Sequence, residues 1–294
     1  MTGSRVTGSR LSAEATGLAE ASGGGLAVIN PAILRTTRLA GNRAEASSFN
    51  GNTSSRGGGI FASGSLTLDR STLDANHVTS EGSAGVASAN GGGASVFGAT
   101  AIASSTISRN VVSGADVAEG GGVRLAGSGQ RTITNSTIAS NRSVGSGPAG
   151  GGGGLYASTD VTLTSSTVAR NTATFGAGIY LDSATATLRG TIVAANTAPT
   201  GADCGGAVTS AGFNLISKTL GCLFTHVASD KRNVAAGLGL LKANGGPTQT
   251  MSLLRGSRAL NAIPKAQCPT ARDQRGVKRP QQTRCEIGAY ERKP

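Results

Sequence analysis

Residues that could carry hydrolytic chemistry are few and dispersed in this chain. Cleavage of a sugar polymer requires paired carboxylates, or a bound cation beside a basic group. The aspartates available for such a role all stand singly: Asp69, Asp74, Asp116, Asp160, Asp182 and Asp203. His77 and His226 are isolated, and we interpret His77 as an exposed loop residue. We therefore predict no catalytic residue, no cofactor and no metal site.

The four cysteines form two local pairs in the last third of the chain, Cys204 with Cys222 and Cys268 with Cys285. Neither pair has CxxC spacing, and the histidines are remote, which argues against zinc. We expect two disulfides and hence an oxidising compartment, although the sequence leaves their connectivity open. Four unpaired buried thiols are the alternative.

The two ends of the chain bear on its location and its partners. The N-terminus lacks the apolar segment of a secretory signal, and we expect a truncated N-terminus rather than a cytoplasmic protein. No apolar run is long enough for a membrane span.

The net charge is +12, and residues 255–294 hold ten basic against three acidic residues. This tail has one aromatic residue, Tyr290, so nucleic acid is not the expected partner. We expect a monomer.

A repeat organises the rest of the sequence. Glycine triplets begin at residues 23, 57, 91, 120 and 152, with a degenerate Gly-Ala-Gly at 176. Each is followed after 19 to 21 residues by an asparagine: Asn42, Asn76, Asn110, Asn141, Asn171 and Asn196. Only the segment from each asparagine to the next triplet varies in length. This pattern predicts coils of fixed length with variable loops at residues 43–56, 77–90, 111–119 and 142–150.

Apolar residues alternate with polar ones inside each coil, as in Leu66 and Leu68 or Val161 and Leu163. This period indicates short strands with one buried face, and we predict three of them per coil. The predicted fold is therefore all-β, a parallel β-helix with coils over residues 1–200. Residues 201–294 are expected to hold the last coils and a disulfide-containing module that caps the open end.

The repeated asparagines have an expected structural role. Asparagine tolerates the left-handed conformation at turns, and amides stacked at one level can form a hydrogen-bonded ladder. A row of asparagines that faces a ligand is the alternative. The segment Asp273–Arg275 is similarly interpreted as a buried salt bridge, not as a site.

The repeats resemble those of bacterial right-handed parallel β-helix proteins, and in particular the repeats of polymorphic outer-membrane proteins. The segments that carry this resemblance are Gly58–Ile60, Phe49–Asn52, Leu73–Asn76 and Ile107–Asn110. The C-terminal segments Asn244–Thr250, Leu253–Ser257, Asp273–Pro280 and Cys285–Glu291 resemble the terminal module of choice-of-anchor Q proteins. The resemblance implies a right-handed, single-stranded, pectin-lyase-like solenoid and export to the cell surface.

Three functions remain open at this stage, and the least favoured is binding of nucleic acid or another anionic polymer by the basic tail. The first is a non-enzymatic, adhesin-like structural or binding protein whose variable loops meet glycans or cell-surface components. The second is a lyase or hydrolase of acidic polysaccharides. The signals of pectin-hydrolysing relatives (Asn-Thr-Asp, Asp-Asp and Gly-His-Gly) do not occur in the sequence, which favours the first.

Overall fold

Alternating aliphatic residues build the strands of this chain, and the strands stack in parallel from coil to coil. The computed structural model describes residues 1–114, 116–145 and 149–293. Parts of two predicted loops, at residues 115 and 146–148, lie outside the described residues. In chain order the strands are β1 (Arg5–Thr7), β2 (Arg10–Ala15), β3 (Ala19–Ser22), β4 (Leu26–Val28), β5 (Ala32–Arg35), β6 (Arg38–Ala40), β7 (Arg43–Ser48), β8 (Thr53–Arg56), β9 (Ile60–Ala62), β10 (Leu66–Asp69), β11 (Thr72–Asp74), β12 (His77–Gly82), β13 (Ala87–Asn90), β14 (Ala94–Val96), β15 (Thr100–Ala103), β16 (Thr106–Ser108), β17 (Val111–Gly114), β18 (Val117–Glu119), β19 (Val123–Leu125), β20 (Arg131–Thr134), β21 (Thr137–Ala139), β22 (Arg142–Gly145), β23 (Ala149–Gly151), β24 (Leu155–Ala157), β25 (Val161–Thr164), β26 (Thr167–Ala169), β27 (Ile179–Arg189), β28 (Ile192–Ala194), β29 (Cys204–Ser210), β30 (Leu215–Ile216), β31 (Cys222–Thr225), β32 (Lys231–Arg232), β33 (Leu238–Lys242), β34 (Thr250–Leu253), β35 (Ile263–Pro264) and β36 (Arg284–Cys285).

Two sheets enclose the main core. The larger has two arms, β4-β9-β14-β19-β24 and β5-β10-β15-β20-β25, which the long strand β27 joins, and β29 and β31 extend it. The other is β1-β6-β11-β16-β21-β26-β28-β30-β32, called here the flank sheet. The predicted parallel β-helix is confirmed. Within the described residues no helix is long and apolar enough to cross a membrane.

Aliphatic side chains of equivalent strands form continuous stacks in this core. Leu34, Leu68, Ile102, Ile133 and Leu163 follow one another in register on successive coils, and each is at most 1% exposed. Burial of one such side chain stabilises a fold by about 1.5–3 kcal/mol. The stacks therefore replace the large aromatic core that this composition cannot supply.

The segments expected to be variable loops form two further sheets. Strands β2, β7, β12, β17 and β22 pair in one sheet, and β3, β8, β13, β18 and β23 pair in the other. Small buried side chains, such as Ala44, Ala46, Val78 and Ala89, fill the space between them. The early coils thus have five strands where three were predicted. We call this two-sheet projection the fin. Among the described residues it ends at β22 and β23, after which only isolated bridges continue the pairing.

The glycine triplets and the asparagines meet at the neck where the fin joins the main core. Gly57 has a left-handed φ of 63°. A Cβ atom on Gly58 would lie 2.6 Å from the carbonyl oxygens of Gly92 and His77, so the chains that enter and leave the fin pass too closely for a side chain. The neck explains the constant triplet-to-asparagine spacing, because that segment encloses the main core while the fin varies.

Residues 233–293 form a C-terminal module with two small antiparallel ladders, β33-β34 and β35-β36, and one 3₁₀ turn at Lys265–Gln267. The module was expected to cover the open end of the coils. Its hydrogen bonds run along the flank sheet, from Thr248 to the carbonyl of Ser104 and from the amide of Ala289 to Thr167. The module attaches there because the outward-facing threonines of the flank sheet offer hydrogen-bond partners along several coils.

Candidate binding groove

Charged and polar side chains cover the outer face of the fin sheet that contains β7 and β12. The register of the strands arranges them in three rows across successive coils. The rows are Arg10, Arg43 and His77; Ser12, Glu45, Thr79 and Ser113; and Glu14, Ser47 and Glu81. Together they line a surface cavity of about 450 Å³, called here the fin groove. A site of this kind is built by strand pairing, which brings together residues more than 30 positions apart.

Ion pairs hold the middle of the fin groove. Glu45 accepts from two arginines, with Oε2 2.6 Å from Arg10 Nη2 and Oε1 3.4 Å from Arg43 Nη1. Both arginine side chains are more than half exposed, so these pairs contribute no more than about 1 kcal/mol each. Their guanidinium groups therefore remain available to a ligand at little cost.

His77 lies in strand β12 and is half-buried, so its interpretation as an exposed loop residue is wrong. Its Nε2 is 3.0 Å from Ser113 Oγ on the next coil, and that hydroxyl is 3.2 Å from Thr79 Oγ1. Burial lowers the pKa of His77, and the neighbouring Arg43 lowers it further, while Glu45 opposes the shift. The imidazole is therefore neutral at physiological pH and can both donate and accept a hydrogen bond.

The outer end of the fin combines carboxylates with an aromatic ring. Glu14 and Glu81 line an adjoining cavity of about 510 Å³ together with Phe49. The Phe49 side chain is 72% exposed, in a chain with only nine aromatic residues. Neither glutamate has an ion-pair partner among the described residues. An exposed ring beside free hydrogen-bonding groups suits a ligand with both apolar and polar faces, such as a sugar.

The six asparagines singled out in the sequence lie at the neck and are almost fully buried. Each side-chain amide bonds with the next coil: Asn76 Nδ2 donates to Asn110 Oδ1 at 2.9 Å, and Asn110 Nδ2 donates to Asn141 Oδ1 at 2.9 Å. The row continues to Asn196, which donates to Asp203 Oδ1 at 2.9 Å. The left-handed φ falls on the residue before each asparagine, for example Ala75 at 53°. These contacts are internal, so the ladder is not a ligand surface.

A second ladder, of hydroxyl groups, was not anticipated. Backbone amides donate to side-chain oxygens on the next coil, as Ser71 does to Ser105 and Ser105 to Ser136. The row extends from Thr37 through Ser166 and Thr191 to Asn214 and ends on Asp230. A serine precedes a threonine in four of the coils, at residues 71, 105, 136 and 166, and this recurrence was the available sequence signal.

Both expected cysteine pairs are joined, Cys204 to Cys222 and Cys268 to Cys285. The first disulfide clamps β29 to β31 in the last coils. The second closes a loop of the C-terminal module. That loop contains the Asp273–Arg275 salt bridge at 2.7 Å, which is buried as expected.

Sequence reasoning missed the arginines and glutamates of the fin groove, because none of them belongs to a recognisable catalytic motif. Arg43 and Glu45 alternate with Ala44 and Ala46, which is a strand pattern. Alanine gives a weak hydrophobic signal, so the segment reads as a polar loop. The same alternation recurs in three successive repeats, and this recurrence is the signal that places the charged residues on one face.

Comparison with known families supports the architecture. A family model described as "Right handed beta helix region" matches residues 86–237, which is more than half of the chain. No significant match was found among curated proteins or among solved structures. The handedness implied by the sequence resemblance is thereby confirmed.

Proposed function

Because the chain belongs to the right-handed β-helix family, we propose that it is an exported binding protein whose fin groove holds an extended glycan. The observation that carries this proposal is the register of polar rows across the coils of the fin. Equivalent strands are about 4.8 Å apart, so similar groups recur at a fixed interval along the coil axis. A repeating polymer can meet such a surface with the same contacts in each unit.

The side chains in the groove supply the contacts that a glycan needs. Arg43 and His77 can bind hydroxyl or carboxylate oxygens, and Thr79 and Ser113 can both donate and accept. Phe49 offers a flat apolar face at the fin tip. The two disulfides support an oxidising environment, and thus export or a place at the cell surface.

Binding to a panel of soluble neutral and acidic polysaccharides tests the proposal, with retardation in polysaccharide-containing native gels as the readout. We expect at least one glycan to retard the protein. Arg43→Gln and Phe49→Ala should each weaken that binding about tenfold, as expected for loss of a charged hydrogen bond or a stacking face.

Arg56→Gln is the matched control for the arginine variant. Arg56 belongs to β8 in the opposite sheet of the fin and does not line the groove. The control should bind like wild type. Wild-type affinity in both groove variants, or no retardation by any glycan, would refute the proposal.

A second candidate function, cleavage of a polysaccharide, is favoured by one feature. Glu14 and Glu81 occupy the same row on strands that are two coils apart, with Ser47 between them. Their backbones are therefore separated by about 9.6 Å. Flexible side chains could bring the carboxyl groups into the separation of roughly 6.5–9.5 Å used by inverting glycosidases.

Release of reducing ends from the bound glycan distinguishes the two functions. Cleavage that is abolished in Glu14→Gln and in Glu81→Gln, but retained in the control Glu20→Gln on β3, would establish an enzyme. Binding without cleavage, unchanged on prolonged incubation, supports the binding protein.

A further inference from the structure

A cavity of about 340 Å³ lies where the last coils meet the C-terminal module, far along the chain from the fin. One wall comes from the coils, with Arg170, Ala195 and Lys218. The other is the segment Asn233–Leu238, where the chain leaves its last coil strand, β32. Junctions between structural units are frequent positions for small-molecule sites, and this volume is at the lower end of their range.

The polar side chains of this cavity have donors left over and few acceptors. Arg170 uses one nitrogen, Nη2, to bond the carbonyl of Leu238 at 3.0 Å. Asn233 Oδ1 already accepts from the amide and the hydroxyl of Thr219, at 3.1 and 3.0 Å. Its Nδ2 group is therefore the part of the side chain that can donate to a ligand. Ser217 Oγ is also engaged, since it donates to Asp203 and accepts from the amide of Ala195.

The charged side chains that line the cavity are all basic. Arg170 and Lys218 line it, and no aspartate or glutamate among the described residues does so. The carboxylate of Asp203 is fully buried behind Ser217, and its two oxygens accept from the Asn196 side chain, the Ser217 hydroxyl and the backbone amide of Lys218. It is thus already occupied, and the two cations have no acidic partner in the cavity.

The remaining lining is apolar. Alanines at 194, 195, 235 and 236, together with Val234 and Leu238, surround the charged groups. Cations with unused donors beside a small apolar wall are complementary to an anion that carries a short hydrocarbon body. A fully hydrated inorganic anion would leave that wall in contact with water.

We propose that this cavity, called here the junction pocket, binds a small aliphatic carboxylate. The carboxylate oxygens accept from Arg170 and Lys218, and the hydrocarbon part lies against Val234 and the alanines. Two sources share this chemistry, a free short-chain acid and the carboxyl terminus of a peptide with an aliphatic last residue.

Isothermal titration calorimetry of the full chain with four probes tests the proposal. These are hexanoate, hexanamide, an acetylated dipeptide ending in valine, and the same dipeptide with an amidated terminus. We expect saturable binding of at least one carboxylate and none of either amide. Preference for hexanoate identifies a free acid as the ligand, and preference for the dipeptide identifies a peptide terminus.

Charge-removing variants locate the site. Arg170→Gln and Lys218→Gln should each weaken carboxylate binding about tenfold, the loss expected for a charge-assisted hydrogen bond. The Lys218→Gln variant should fold like wild type, because Lys218 is exposed and its side chain makes no hydrogen bond to a described residue. A loss of binding in this variant is therefore not caused by misfolding. Arg232→Gln is the control, an exposed cation on β32 that does not line the pocket. Equal binding of the amides, no binding of either carboxylate, or equal affinity in Lys218→Gln and Arg232→Gln would overturn the proposal.

Discussion

At the residue scale, both internal ladders end on an aspartate, fully buried in the case of Asp203 and half-buried in the case of Asp230. In the asparagine ladder each residue donates its backbone amide and its side-chain Nδ2 to the Oδ1 atom on the next coil, as Asn171 does to Asn196. The hydrogen bonds therefore run in one direction, and the last residue needs to accept without donating onward. A carboxylate is an acceptor-only group. Asp203 and Asp230 meet this need at the ends of the two ladders.

The first prediction concerns Asn110, a middle member of the asparagine ladder. Its Nδ2 donates to Leu73 and Asn141, and its Oδ1 accepts from both nitrogens of Asn76. Asn110→Ala leaves buried groups on neighbouring coils without partners, so we expect a loss of about 3 kcal/mol in the free energy of unfolding. Denaturant unfolding measures this loss, and the exposed Asn50→Ala serves as the control. Equal stability of the two variants would contradict the ladder's role.

The second prediction concerns Glu286, which lies in a buried charge cluster of the C-terminal module. Burial raises the pKa of Glu286 to about 8, and the neighbouring Glu291 carboxylate adds to the shift. Arg279, whose side chain is fully buried, pairs with Glu291 at 3.3 Å and opposes it. The folded state thus keeps a proton that the unfolded state releases near pH 4.5. Its stabilising effect is complete below pH 4.5 and is lost as the pH rises to about 8.

Glu286→Gln mimics the protonated form at every pH. We expect its melting temperature to match that of wild type near pH 5 and to exceed it at pH 9. Thermal unfolding at the two pH values, with Glu20→Gln as the exposed control, provides the measurement. A variant that is less stable than wild type at pH 9 would show that the carboxylate, not the acid, is the stabilising form.

At the scale of elements, the fin is a thin double sheet that small side chains make possible. Ala44, Ala46, Ala89 and Ala118 are at most 3% exposed and allow the two sheets to approach closely. The fin groove depends on this packing, because the same strands present Arg43 and Glu45 on their outer face. Substitutions inside the fin should therefore disturb the groove outside it.

The third prediction is that Ala89→Leu destabilises the protein by about 1–3 kcal/mol, because extra methylene groups force the two fin sheets apart. Ser88→Leu adds similar volume to the outer face of the same strand and should cost less than about 0.5 kcal/mol. Denaturant midpoints compare the two. A smaller loss for the inward substitution than for the outward one would contradict a packed fin.

At the scale of the whole molecule, one amide side chain makes several of the hydrogen bonds that attach the C-terminal module to the flank sheet. Gln274 Nε2 lies within 3.2 Å of the Ser105 carbonyl, Thr106 Oγ1 and Thr248 Oγ1, and its Oε1 accepts from Thr137 at 2.6 Å. These contacts join positions up to 169 residues apart. The module therefore braces several coils at once, with Gln274 bonded to three of their residues, Ser105, Thr106 and Thr137.

The fourth prediction follows from that attachment. Gln274→Ala should loosen the module from the flank while the coils remain folded, since the buried partners of the amide lose their hydrogen bonds. Limited proteolysis should then cut at residues 233–238 several times faster than in wild type. The exposed Gln267→Ala is the control. Equal cleavage rates in both variants would show that other contacts hold the module.

The amino-acid sequence by itself determined the coil architecture, because the period of aliphatic residues and the glycine-to-asparagine spacing are local properties of the chain. It also indicated both cysteine pairs and the Asp273–Arg275 salt bridge, whose members are close in sequence. The fin, the groove on its face and the position of the module were decided only by tertiary structure. Alanine and serine carry too weak a hydrophobic signal to mark the fin strands. Arg10, Glu45 and His77 become neighbours only when coils more than 30 residues apart stack in register.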